Sequence, residues 1–138
     1  MQISEVMSKN PISVGVEATL TEAAQLMAAN EIGDVLVTRG DGSLCGLVTD
    51  RDLVVKGLAV GSDPTSTKVE SVCNHNPVTI SSDQSAEDAV KVMREHNIRR
   101  LPVVDGGDLV GILSLGDLAI EKDPESALAD ISKAPANN

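Results

Sequence analysis

The chain is one pattern written twice, so any fold for it must serve two copies. Asn10-Pro11-Ile12-Ser13-Val14 returns 66 residues later as Asn76-Pro77-Val78-Thr79-Ile80. Ala23, Met27, Ile32 and Val37 recur at the same offset as Ala89, Met93, Ile98 and Val103. One residue is then lost in a turn, where Arg39-Gly40-Asp41-Gly42-Ser43 faces Asp105-Gly106-Gly107-Asp108. Beyond it the offset is 65, and Leu44, Gly46, Asp52 and Leu53 match Leu109, Gly111, Asp117 and Leu118. A register held this far marks an internal repeat of about 60 residues. One such unit buries too little surface to be stable alone, whereas two can complete a core by packing sheet against sheet.

Each repeat reads as β-α-β-β-α. Asn-Pro opens an extended run, because Pro pushes the preceding residue out of the helical region. Leu20, Ala23, Ala24 and Met27 then form a helical stripe, repeated by Ala86, Ala89, Val90 and Met93. Two strands follow, Asp34 to Thr38 and Leu44 to Val48, joined by a Gly/Asp turn. Their counterparts are Arg100 to Val104 and Leu109 to Leu113, and a last helix starts at Thr49 or Ser114. The expected organisation is repeat 1 over 1–60, a linker over 61–67, repeat 2 over 68–122 and a tail over 123–138. Val69 to Cys73 is a short lead-in helix mirroring Ile3 to Met7. Within the tail, Ser126 to Ile131 reads as a helical stretch and Lys133 to Asn138 as disordered.

Several functions are disfavoured by composition. The formal charge is −10, which repels phosphate backbones at long range and speaks against general nucleic-acid binding. There is no Phe, Tyr or Trp, so no aromatic platform can stack on a base. A nucleobase must be held by aliphatic side chains and backbone polar groups. No apolar run is long enough for a membrane span. The opening Met1-Gln2-Ile3-Ser4-Glu5 is unlike a secretory signal, so a cytoplasmic location is expected.

The strings most able to carry chemistry are Gly46-Leu47-Val48-Thr49-Asp50-Arg51-Asp52 and Gly111-Ile112-Leu113-Ser114-Leu115-Gly116-Asp117. Both read Gly-h-h-[Ser/Thr]-x-x-Asp, where h is hydrophobic, at a strand-to-helix junction. A helix start offers free N–H groups to a phosphate, and the carboxylate three residues on suits ribose hydroxyls. The same spacing is also a capping box, which satisfies the helix's own first N–H groups. Both readings stand at this point.

With Ile98-Arg99-Arg100-Leu101-Pro102-Val103-Val104-Asp105 and the paired Asn-Pro runs, these strings resemble the CBS domain, named after cystathionine β-synthase. The resemblance covers residues 1 to 122. It implies two repeats related by a pseudo-two-fold axis, with two ligand clefts between them. It further implies a regulatory rather than catalytic protein that binds AMP, ADP, ATP, NAD(H) or S-adenosylmethionine, forms a homodimer and signals to a protein effector. Members with empty clefts, acting only as structural or interaction proteins, are the alternative.

By this resemblance each cleft is built crosswise. Thr49, Arg51 and Asp52 would meet Thr79, Ile98, Arg99 and Arg100, three arginines able to clamp a phosphate. Ser114 and Asp117 would meet Ser13, Ile32, Gly33 and Asp34, where the acid opposes an anion. The Asp52 cleft is therefore expected to bind better. As solvated surface cations, Arg99 and Arg100 would instead use counterions such as Asp105.

Neither a catalytic constellation nor a catalytic cofactor is expected. Cys45 reads as a small core residue. Cys73 and His75 offer a thiolate and an imidazole, fewer ligands than a zinc site needs, so no metal is expected.

Overall fold

The structure is a computed structural model, and it describes residues 1–122. The expected tail lies outside the described residues. The elements follow the mixed α/β order of the sequence reading. They are β1 (Ser13–Gly15), α1 (Leu20–Asn30), β2 (Asp34–Thr38), β3 (Leu44–Thr49), α2 (Asp50–Asp52), α3 (Ala86–His96), β4 (Arg100–Asp105), β5 (Asp108–Ser114) and α4 (Leu115–Lys122). Short 3-10 turns at Ile3–Glu5 and Val69–Ser71 open the two repeats.

The two long helices are bounded by equivalent residues. Thr19 caps α1 by accepting from the Glu22 N–H at 3.2 Å, and Ser85 caps α3 by accepting from that of Asp88 at 3.1 Å. Both helices end on a left-handed residue, Glu31 and Asn97. The next N–H reaches back to close the turn, Ile32 to Met27 and Ile98 to Met93, each at 3.0 Å. Leu20, Ala23 and Met27 are buried as the stripe requires, but Ala24 is exposed. It lines an apolar groove with Leu20, Ala28, Leu53, Leu58 and Pro64.

Two departures have local causes. In repeat 1, β1 runs parallel to β2, and the Leu36 N–H donates to the Ile12 carbonyl at 3.2 Å. The equivalent of Leu36 is Pro102, which has no N–H to give. The expected first strand of repeat 2 therefore shrinks to a single bridge between Ile80 and Val103. The helix expected after Thr49 also breaks up: after α2 the chain widens into a π turn over Leu53–Gly57 and then a 3-10 turn over Leu58–Val60. A Cβ on Gly57 would lie 2.8 Å from Leu20 Cδ1, so that turn sits against α1.

The compact units do not follow the repeat boundaries. Among the described residues, one unit is Ile12–Pro77, and the other joins Met1–Pro11 to residues 78–122. Each repeat's lead-in thus completes the core of the other repeat. Ile3, fully buried, packs in the cluster of Ile80, Ala86, Ala89, Met93, Leu101, Val103, Leu113 and Leu118. Val69, equally buried, packs in that of Val14, Leu20, Val35, Val37 and Val48. Within the segment 61–67, the Pro64 and Thr67 carbonyls accept from the first N–H groups of α1.

Candidate functional site

The glycine of each Gly-h-h-[Ser/Thr]-x-x-Asp string has a structural cause. The segment after the Val69–Ser71 turn crosses β3 at Gly46, where Asn74 and Leu47 exchange backbone hydrogen bonds of 2.8 and 3.1 Å. A Cβ there would stand 2.3 Å from the Asn74 carbonyl oxygen. Ser8 crosses β5 in the same way, and a Cβ on Gly111 would meet Met7 Sδ at 2.7 Å and Ser8 O at 2.8 Å. Close backbone approach, not a ligand, accounts for both glycines.

The hydroxyl and the carboxylate form capping boxes in both strings. Thr49 Oγ1 accepts from the Asp52 N–H at 3.0 Å, and the Thr49 N–H donates to Asp52 Oδ2 at 2.9 Å. Ser114 Oγ accepts from the Asp117 N–H at 3.0 Å, and the Ser114 N–H donates to Asp117 Oδ2 at 3.3 Å. The remaining oxygens differ. Asp52 Oδ1 holds Lys56 Nζ at 3.2 Å, whereas Asp117 enters no ion pair among the described residues. The position matching Lys56 is Glu121 in the sequence.

Backbone register decides which residues share a unit. Arg100 pairs with Ser114 across the β4–β5 ladder, and the Leu115 N–H donates to the Arg99 carbonyl at 2.8 Å. Arg99 and Leu115 line a cavity of about 270 Å³ with Val90, Met93, Arg94, Asn97 and Ile98. In the other unit, Asp34 pairs with Thr49 and the Asp50 N–H donates to the Gly33 carbonyl at 2.9 Å. The arginine pair therefore neighbours Ser114 in its own unit, and the Gly33–Asp34 pair neighbours Thr49. The pairings expected from the sequence, Arg99 with Thr49 and Asp34 with Ser114, join residues of different units.

Thr79, Arg99, Arg100, Ser13, Gly33 and Arg51 are exposed, while Ile32, Ile98, Thr49, Asp52, Ser114 and Asp117 are half-buried. Asp105 is engaged elsewhere: its oxygens accept from the Ser82 N–H at 2.9 Å and Ser82 Oγ at 2.5 Å. Those two bonds hold its carboxyl below the ordinary carboxylate range.

Cys45, Cys73 and His75 converge in the Ile12–Pro77 unit, their donor atoms all within 4.8 Å of one another. From sequence, Cys73 and His75 are neighbouring ligands and the metal role of Cys45 is open; the crossing brings Cys45 in as the third donor. Both cysteines are buried and His75 is exposed. Burial, and next the neighbouring Cys45, push the Cys73 thiol up to about 11.

A family model for the CBS domain matches residues 3–57 and again 69–122. Hypoxic response protein 1 of Mycobacterium tuberculosis is 36% identical over 130 residues, spanning 94% of this chain and 90% of that one. A crystal structure of Hypoxic Response Protein I with two coordinated zinc ions superposes with a TM-score of 0.80 at 35% identity, covering 86% of this chain and 97% of that chain. The CBS domain protein PAE2072 from Pyrobaculum aerophilum, complexed with AMP, superposes with a TM-score of 0.77 at 30% identity, covering 97% of this chain and all of that one.

Proposed function

The chain belongs to the CBS domain family, and on that premise we propose that it is a non-catalytic regulator that binds an adenine nucleotide. AMP is the first choice, with ADP, ATP, NAD(H) and S-adenosylmethionine as the wider class. The carrying observation is that Ile98, Arg99 and Leu115 line one cavity while a hydrogen bond ties Arg99 to the start of α4. Ile98 and Leu115 supply aliphatic contact for a base in a chain without aromatic residues. Arg99 and Arg100 supply charge-assisted donors for a phosphate. Asp117 is the carboxylate for the ribose, and Thr79 a further hydroxyl. About 270 Å³ falls short of the ~300 Å³ at the small end of ligand pockets, so this cavity takes part of a nucleotide.

Ser13, Ile32, Gly33, Thr49, Arg51 and Asp52 form the weaker half-site in this reading. Asp34 brings negative charge there, and Lys56 already occupies one oxygen of Asp52. The alternative, a structural protein with empty clefts, draws support from the capping boxes, which give both carboxylates a role without any ligand. Homodimerisation fits Val54, Val55, Leu58 and Val60, all exposed apolar side chains on the two turns after α2. A protein effector and a cytoplasmic setting complete the proposal. Among the described residues no helix is long and apolar enough to cross a membrane.

Calorimetric titration with AMP and with adenosine tests the site. Asp117→Asn is expected to weaken AMP at least about tenfold, and Asp52→Asn less. An Arg99→Ala/Arg100→Ala double variant is expected to lose a similar factor for AMP and little for adenosine, because each charge-assisted bond contributes about 1.5–3 kcal/mol. If no adenosine compound binds the parent, the structural reading replaces this one. If Asp52→Asn does the greater damage, the half-sites have been ranked wrongly.

A further inference from the structure

The geometry points to Cys45, Cys73 and His75 as a binding site for one zinc-class divalent ion, a function separate from nucleotide binding. His75 Nδ1 stands 3.8 Å from Cys45 Sγ and 4.0 Å from Cys73 Sγ. Around a tetrahedral ion with sulfur at about 2.3 Å and nitrogen at about 2.0–2.1 Å, those atoms lie about 3.6 Å apart. Cys73 Sγ also stands 3.7 Å from Nε2, so it must swing toward the Nδ1 side of the ring before the three donors close on one ion.

The imidazole is already held in the required tautomer. His75 Nε2 is 2.7 Å from the Glu70 carbonyl oxygen, which can only accept. Nε2 therefore carries the proton, and the Nδ1 lone pair is left for the ion. A backbone carbonyl on the far ring nitrogen is the usual outer support of a metal-bound histidine.

The ion's identity follows from charge. Two thiols and one imidazole are soft to borderline donors with no oxygen among them, which disfavours Mg²⁺ and Ca²⁺. Binding releases two thiol protons and leaves two thiolates against one divalent ion, so the metal and its sulfurs are neutral together. A neutral group suits two buried cysteines, whereas Cu⁺ would leave a net negative charge there. His75 is exposed, so water completes the tetrahedron.

The sister unit supplies an internal control. At the matching positions it carries Val110, Met7 and Lys9 around the same strand crossing. The crossing therefore does not itself demand Cys or His, and the three donors are gathered in one copy only.

The full chain, reduced and stripped by a chelator, is titrated with zinc chloride against a chromophoric chelator. One zinc per chain is expected, with two protons released and both thiols shielded from a thiol-reactive disulfide reagent. Cobalt substitution is expected to give sulfur-to-metal charge-transfer absorption. His75→Gln changes an exposed side chain and is expected to weaken zinc at least about tenfold while leaving the metal-free unfolding midpoint in place. Cys73→Ser is expected to abolish the charge-transfer band. The inference is overturned by no zinc uptake, by uptake that both variants leave unchanged, or by thiols that stay reactive with zinc bound. A Cys45–Cys73 disulfide that forms in air, with no zinc uptake after reduction, overturns it equally.

Discussion

In one unit Gly46 lies beneath Asn74, with Cys73 beside it; in the other, Gly111 lies beneath Ser8, with Met7 beside it. The two crossings share their backbone, and Cys45, Cys73, Asn74 and His75 of one stand where the other has Val110, Met7, Ser8 and Lys9. The glycine is fixed by the close approach of two strands and would persist in a module with no ligand at all. The surrounding positions are under no such constraint, so the chemistry is found where the copies disagree. The same holds for the two capping boxes. Their hydrogen bonds match, and the difference that bears on a ligand is Lys56 on Asp52 against no ion pair on Asp117 among the described residues.

The largest expected effect tests whether the lead-ins are exchanged. Ile3→Ala removes a fully buried side chain and is expected to cost about 2–5 kcal/mol. Amide exchange should speed up around Leu101 and Leu113, its neighbours in the core, before it does around Val35 and Val48. Faster exchange confined to β2 and β3 would show that Ile3 packs on its own repeat.

The next effect separates the two crossings. Gly46→Ala forces a methyl to within 2.3 Å of a backbone oxygen and is expected to cost about 3 kcal/mol in urea unfolding. Gly111→Ala meets first the flexible end of Met7 at 2.7 Å, with Ser8 O close behind, and is expected to cost about 1–2 kcal/mol. Equal losses would mean that the second crossing is as rigid as the first.

The smallest effect is electrostatic and belongs to the unit that lacks a full first strand. Two bonds from Ser82 lower the carboxyl of Asp105 below its ordinary 3.8. A depressed folded-state value contributes stability that is present above the unfolded value and is lost as pH falls through the folded one. Ser82→Ala should return Asp105 toward 3.8, read from the pH dependence of its carboxyl carbon resonance. An unchanged titration would show that Ser82 does not hold the carboxylate in solution.

Much of the fold is legible in the order of the amino acids. The duplicated register yields the element order, and the strand bounds hold to within a residue for β2 to β5. Thr49 and Ser114 are readable as caps because the hydroxyl and the acid three residues on are local. What escapes is nonlocal. A lead-in carries the same sequence whether it packs on its own repeat or on the other, so Ile3 and Val69 give no sign of their exchange. Cys45 and Cys73 are joined only through the Leu47–Asn74 bridge, which no spacing rule reaches. Pro102 is a missed signal, since a proline in a central strand removes a ladder bond that can be counted. The neighbourhood of Arg99 and Ser114 is also recoverable, because a hairpin register sets which residues face each other.

The exchanged lead-ins also set an order of events on the ribosome. The core around Val69 has all its residues once position 77 has emerged. The core around Ile3 waits for Leu101, Leu113 and Leu118, which are made after it. At about 5–20 residues per second, the residues that must cover Ile3 arrive several seconds after it does. Through that interval Ile3 lacks its partners Leu101, Leu113 and Leu118. A nascent-chain binding factor would find that residue exposed until the second repeat is nearly finished.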